Sequence, residues 1–256
     1  MGATPLKNVL EEADRILNEA ESRKVPLRLF GGVAIHKRCP SAAKEPSLIR
    51  EYADVDLFGH TSQTKEIKEL FQALGYESRA RFNALYGGER LVFHDMENVR
   101  RIDIFLDVFR MCHTFNFKDR LEVNKRTLPL GDLVATKLQV VEASEREYKD
   151  IICLLLDHEI GGNDVGEAIN GKYLAKLASK DWGVYTTFKK SLDGVEGFLE
   201  TFPLEDLKKS IVRTHIQELA RMLDDEPKGL SWKLRAKVGE KTIWYDLPEP
   251  DKKVVA

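Results

Sequence analysis

The chain has 256 residues, with 40 Lys and Arg against 42 Asp and Glu and a hydrophobic content of 43%. That length supports one large domain or two small ones with a sizeable core, and 32% charged with 9% aromatic residues excludes a disordered chain. A net charge of −2 excludes holding nucleic acid by bulk electrostatics, while leaving a local basic face open.

Cys39, Cys112 and Cys153 are odd in number, widely spaced and outside any CxxC pattern. They fit reduced thiols better than a disulfide framework or a zinc site. The longest apolar run, Ile151 to Leu156, is far short of a membrane span. The first residues, Met-Gly-Ala-Thr-Pro-Leu, lack a basic stretch followed by an apolar one. The expectation is a cytoplasmic protein with no membrane partner.

In chain order, Thr4 and Pro5 read as N-cap and first helical position. They would open a helix with Val9, Leu10, Ala13, Ile16, Leu17 and Ala20 on one face. Pro26 leads into a strand, Leu27 to Phe30, that runs into Gly31-Gly32 and a helix from Val33. Residues 39–52 read as a loop and Asp54 to Gly59 as a strand. Thr61 or Ser62 caps a helix bearing Ile67, Leu70, Phe71 and Leu74, which Gly75 ends.

Period-two patterning over 79–85 and 90–94 flanks Gly87-Gly88 and predicts a hairpin. Arg100 to Phe109 forms the next strand of the meander. Helices follow over 133–141, 144–156 (opened by a Ser144–Glu147 capping box), 181–200 and 204–223. Trp232 to Val238 and Lys241 to Tyr245, joined at Gly239-Glu240, read as a closing hairpin. The boundary between a sheet-bearing half and a helical half falls near 127–131.

Three pieces of this chain carry chemistry. A Gly-Gly pair between strand and helix lets backbone approach a ligand, and the helix start presents N–H groups to phosphate. Strand-to-helix turns also need glycine for geometry alone. In Asp54-Val55-Asp56-Leu57, both carboxylates share one strand face about 6.5–7 Å apart. Their repulsion favours a hard cation such as Mg²⁺ between them, the alternative being two solvated surface acids. In Arg101 to Asp107, Asp103 and Asp107 face alike. Asp103 is expected to complete a three-carboxylate cluster, and Asp107 to be a surface acid near the strand end.

Strand, Gly-Gly turn, helix, Asp-x-Asp and a later single Asp together resemble the nucleotidyltransferase superfamily that includes DNA polymerase beta. Leu130-Gly131-Asp132-Leu133-Val134-Ala135-Thr136-Lys137 is similar to the Asp-Leu-x-x-x-Lys helix of the AbiEii-toxin-related nucleotidyltransferases, and Lys149-Asp150 stands where those relatives carry an Asp after a basic residue. The resemblance covers about residues 25–157. It implies an α/β fold, a small mixed sheet flanked by helices followed by a mainly helical C-terminal region. Residues 1–130 would form the catalytic domain, and 131–256 a helical region ending in a short hairpin.

The resemblance further implies Mg²⁺ held by Asp54, Asp56 and Asp103, which with Lys137 form the catalytic set. Gly31, Gly32, Arg38, Lys137 and Asp150 would line the nucleotide site. The implied reaction is transfer of a nucleoside monophosphate from a nucleoside triphosphate such as ATP to an acceptor, with RNA ends, proteins and small molecules all open. A toxin-type enzyme with an antitoxin partner belongs to the same expectation. Residue types agree, since nucleotidyl transfer needs positioning and charge neutralisation rather than a protein nucleophile. Lys137 also reads as a helix lysine lying along Leu133, Val134 and Leu138, and Arg38 as a solvated one. Ten basic residues against seven acidic ones over 79–126 make an RNA acceptor conceivable, although a solvated face explains them equally. The 22-residue gap from Gly32 to Asp54 predicts a loop inserted over the site. The competing reading is a non-catalytic nucleotide- or partner-binding module that keeps the fold.

Overall fold

The computed structural model describes residues 4–247. Helix α1 (Val9–Ser22) starts at Asn8, whose side chain accepts from the Leu10 and Glu11 amides. The Thr4-Pro5 start predicted from sequence therefore lies upstream of the helix. An asparagine oxygen that satisfies two free N–H groups outweighs a proline placed early. The face of Ala13, Ile16, Leu17 and Ala20 is buried as its periodicity predicts.

Strand β1 (Arg28–Phe30) passes directly into α2 (Gly31–Arg38). Within the predicted loop a short helix, α3 (Ser41–Lys44), follows. Strand β2 (Val55–Gly59) precedes α4 (Thr64–Ala73), which Thr61–Gln63 enters through a 3-10 turn. Strand β3 (Glu77–Ser78), helix α5 (Ala80–Tyr86), β4 (Arg90–Asp95) and β5 (Arg100–Leu106) come next. The sheet order is β1-β2-β5-β4-β3, and only β2 and β5 run parallel.

The hairpin expected across Gly87-Gly88 is absent: residues 80–86 are helical. The cause is one side chain. Asn83 accepts from the Val92 amide at 2.8 Å and donates to the Val92 carbonyl at 2.9 Å. A side-chain amide thus takes the place of a strand neighbour beside β4, which leaves the backbone of α5 free to coil.

One sheet face carries Val55, Leu57, Ile102, Ile104 and Phe93, all buried. Phe93 stacks on Phe71 of α4 with ring centroids 4.7 Å apart. The other face carries Phe30, Asp56, Phe58, Asp103 and Phe105, because residues two apart on a strand share a side. After Leu106, Asp107 takes a positive φ of 56°, and the chain turns into the small hairpin β6 (Val108–Arg110) and β7 (Thr114–Asn116). That break ends the continuous 100–109 strand expected from the pattern.

Helices α6 (Leu130–Leu138) and α7 (Glu145–Asp157) pack on α2, and α7 begins at the predicted Ser144–Glu147 capping box. A two-stranded pair, β8 (Ile160–Gly161) and β9 (Ile169–Asn170), leads to α8 (Gly171–Lys180), α9 (Trp182–Thr201) and α10 (Asp206–Asp225), which pack on one another. The architecture is α/β, a small mixed sheet with helices followed by a helical C-terminal region.

The closing hairpin is also corrected. Residues 230–238 form helix α11 (Leu230–Val238), ended by Gly239 at φ +61°. Trp232 donates its indole N–H to the Ala178 carbonyl and sits edge-on to Tyr185. Leu, Ala, Lys and Arg favour helix here, and the alternation of Trp232, Leu234, Ala236 and Val238 is coincidental. Residues 248–256, the end of the expected C-terminal region, lie outside the described residues. No helix among the described residues is long and apolar enough to cross a membrane. The three cysteines are buried free thiols, and burial pushes the Cys39 thiol up.

Candidate active site

The acids sit where the parallel pair meets the Gly-Gly turn. Asp56 on β2 and Asp103 on β5 are direct register partners, while Phe30, just before the turn, is the partner of Asp56 on the other side. Asp54 lies one residue before β2 and is exposed. Two residues on, the same face becomes aromatic: Phe58 and Phe105 lie with ring centroids 6.3 Å apart. That apolar floor explains the behaviour of Asp56. Burial first, and repulsion from Asp103 and Asp54, push its carboxyl up to about 7, against the attraction of Lys137 and Arg90.

Gly31 is required by two independent facts. Its φ is +67°, and a Cβ there would fall 2.2 Å from Asp56 Oδ2. A Cβ on Gly32 would fall 2.2 Å from Arg50 Nη2. The pair thus brings backbone against an acid on one side and a cation on the other. Gly31→Ala is expected to lower stability by about 1–2 kcal/mol from the left-handed backbone, with more from the clash. Gly88, which has open space around its Cβ position, serves as the control. Urea unfolding of the two Ala variants checks this, and equal midpoints would refute it.

Asp103 is strongly engaged. Arg90 Nη2 lies 2.7 Å from its Oδ1 and Arg101 Nε 2.8 Å from its Oδ2. Arg90 also lies over the Phe105 ring at 4.6 Å. Asp107 lies elsewhere, at the far end of β2, where it meets His60 Nδ1 at 3.0 Å and accepts from the Thr61 amide.

Lys137 and Asp150, both assigned to the nucleotide site by the same resemblance, meet: Nζ to Oδ2 is 2.7 Å. The same Asp150 receives Arg50 through three hydrogen bonds of 2.9–3.1 Å. Arg50 also lies over the Tyr52 ring at 4.2 Å. It therefore joins the Gly32 turn to α6 and α7. Sequence reading missed Arg50, because it falls in an unpatterned stretch and its partner is 100 residues away.

Arg38 points elsewhere, with one nitrogen 2.9 Å from Thr127 Oγ1 and another 2.7 Å from Glu167. At the start of α6, the buried Asp132 takes Arg120 at 2.8 Å, and Arg120 also holds Asp164 and covers Tyr173. Burial pushes the Asp132 carboxyl up to about 6 even so. This anchor sets the position of the helix carrying Lys137.

In its donor chemistry, an all-oxygen set of Asp54, Asp56 and Asp103 fits a divalent cation. Its present geometry is not a ready-made ligand shell: among the described residues, no three His, Cys, Asp or Glu side chains are gathered at metal-binding separation.

No family model matches the chain, and no curated protein matches it. Among solved structures, the solution structure of the antibiotic-resistance factor ANT(2'')-Ia is similar over 66% of this chain and 92% of that one, with 13% identity and a TM-score of 0.42.

Proposed function

We propose that this chain is a nucleotidyltransferase that moves a nucleoside monophosphate from a nucleoside triphosphate to an acceptor. One observation carries the reading: Asp56 and Asp103, paired in register, lie against a Gly31-Gly32 turn whose first position needs glycine, for its left-handed backbone and for the close approach of Asp56. Mg²⁺, bound by Asp54, Asp56 and Asp103, would neutralise phosphate charge and polarise the reacting oxygens. The start of α2 offers backbone N–H groups for the triphosphate. Lys137 and Arg50, both tied to Asp150, supply cationic donors at the Gly32 side. Asp150 holds these two cations in place and shields each from the other.

Under this reading Arg90 and Arg101 keep Asp103 neutralised while no cation is bound. Arg90→Met and Arg101→Met should therefore tighten Mn²⁺ binding to the nucleotide-free protein. Releasing one charge-assisted contact worth about 1.5–3 kcal/mol corresponds to a gain of about 10- to 150-fold. Titration followed by electron paramagnetic resonance checks this, and unchanged affinity in both variants would show that the arginines do not compete for the site.

The same arginine pairs favour a second reading, a binding module in which Asp103 is a structural acid. Incubation with each labelled triphosphate, Mg²⁺ and total RNA, protein or metabolites tests both. Label in one fraction, lost in Asp56→Asn, supports transfer and names the acceptor class. Tight triphosphate binding without label in any fraction supports the module. A toxin role with an antitoxin partner extends the first reading; growth arrest on expression, absent in Asp56→Asn, supports it.

A further inference from the structure

At the opposite end of β1 from Gly31 lies a cavity of about 380 Å³ between the end of α1, residues 24–28 and residues 122–126. Arg28 forms part of its wall and is only 8% exposed. Its Nε and Nη1 donate to the carbonyls of Leu121 and Leu27, but among the described residues no carboxylate lies within hydrogen-bond reach. Glu122 comes nearest, 3.8 Å from Nη2, and is itself 72% exposed. Burial accordingly holds the Arg28 guanidinium below the ordinary arginine range, whereas Arg120, gripped by two aspartates, is raised. A buried cation with so little countercharge is costly unless an anion joins it.

Lys24 is the second, independent observation. The Val25 amide bonds to the Ala20 carbonyl and the Lys24 amide to that of Glu21, which closes α1 in the manner that usually requires glycine at position 24. Lys24 instead holds φ +57° with a long cation on the cavity rim. Lys125 and Arg126 bring the lining to four cations against the two carboxylates Glu21 and Glu122. Arg126 is already committed to Asp14 at 2.9 Å. Leu17, Val25 and Leu27 supply an apolar wall.

We propose that this cavity binds a small organic phosphate, with the phosphoryl dianion held by Arg28, Lys24 and Lys125 and its organic part against the leucines. With Arg126 spent on Asp14, three cations still outnumber the two carboxylates, which favours an anion, and the planar guanidinium fork suits phosphate oxygens. The site does not depend on the nucleotidyl-transfer reading. Arg28 pairs with Phe58 of β2, while Asp56 pairs with Phe30, two residues further along β1.

Phenyl phosphate and inorganic phosphate are titrated into the full chain, with backbone amide NMR shifts read at residues 24–28 and 122–126. Saturable shifts there are expected, with phenyl phosphate tighter than inorganic phosphate, and unchanged in Lys137→Ala. Arg28→Met should weaken binding by about tenfold or more. Because Arg28→Met also removes two internal hydrogen bonds, Lys24→Gly is the companion. It relieves the positive φ, should unfold no earlier than the parent, and should still lose affinity. Absence of saturable shifts, or undiminished binding in Lys24→Gly, would overturn the site; equal affinity for the two phosphates would overturn the organic ligand.

Discussion

Asp56→Asn is expected to abolish the proposed nucleotidyl transfer and, in EDTA at pH 8, to melt higher than the parent. The carboxyl of Asp56 is raised to about 7 from an ordinary value of 3.8, mainly by burial and then by Asp103. For an acid raised in the folded state, nothing is lost below the ordinary value, where both folded and unfolded chains hold the proton. As pH rises from about 4 towards 7, only the unfolded chain ionises freely, and stability falls. The full shift corresponds to about 4 kcal/mol. Because the residue keeps some access to water, about 2–3 kcal/mol is the expected gain for the variant, or roughly 5–10 °C in a chain of this size. The gain should vanish near pH 4. Melting curves from pH 4 to 8 check the claim. A variant that melts lower throughout would give Asp56 a structural role instead.

Local signals made much of this fold readable. The Ser144–Glu147 capping box, the strand before Gly31 and the alternation around Asp56 and Asp103 all depend on neighbours a few residues apart, and these elements form as read. Errors arose where a distant partner decides the local state. Residues 80–86 alternate like a strand, yet Asn83 bonds both backbone groups of Val92 and makes the helix the better satisfied form. Residues 232–238 alternate too, and Trp232 settles them as helix by reaching Ala178. The site follows the same division. Strand alternation puts Asp103 and Asp107 on one face, and the register of β2 with β5 sets Asp103 opposite Asp56; Arg50 is found only by folding, since no local pattern marks it. Arg90 and Arg101 were noticed as charges, but their common grip on Asp103 depends on how β4 pairs with β5.

The largest stability effect is expected at Asp150, whose side chain is 3% exposed and is shared by Arg50 and Lys137, themselves 15% and 13% exposed. Asp150→Ala leaves two cations close together with no shared counter-ion. Removing one partner of a buried ion pair costs about 3–5 kcal/mol, which is roughly 6–15 °C here. Lys137→Ala is a milder change, because Arg50 keeps its grip on both Asp150 oxygens; a loss of about 1–2 kcal/mol is expected. The two variants should diverge the other way in function. If the ammonium of Lys137 exchanges Asp150 for a nucleotide phosphate, Lys137→Ala should lose about 10- to 150-fold in triphosphate affinity, equivalent to one charge-assisted contact of about 1.5–3 kcal/mol. Lys137→Arg keeps the charge at a different reach and should recover part of that loss. Calorimetry with Mg²⁺ and triphosphate, run beside thermal melts, separates the two roles. An Ala variant that binds as tightly as the parent would leave Lys137 as the partner of Asp150 alone. The phosphate contact would then fall to Arg50, which this carboxylate also holds beside Gly32.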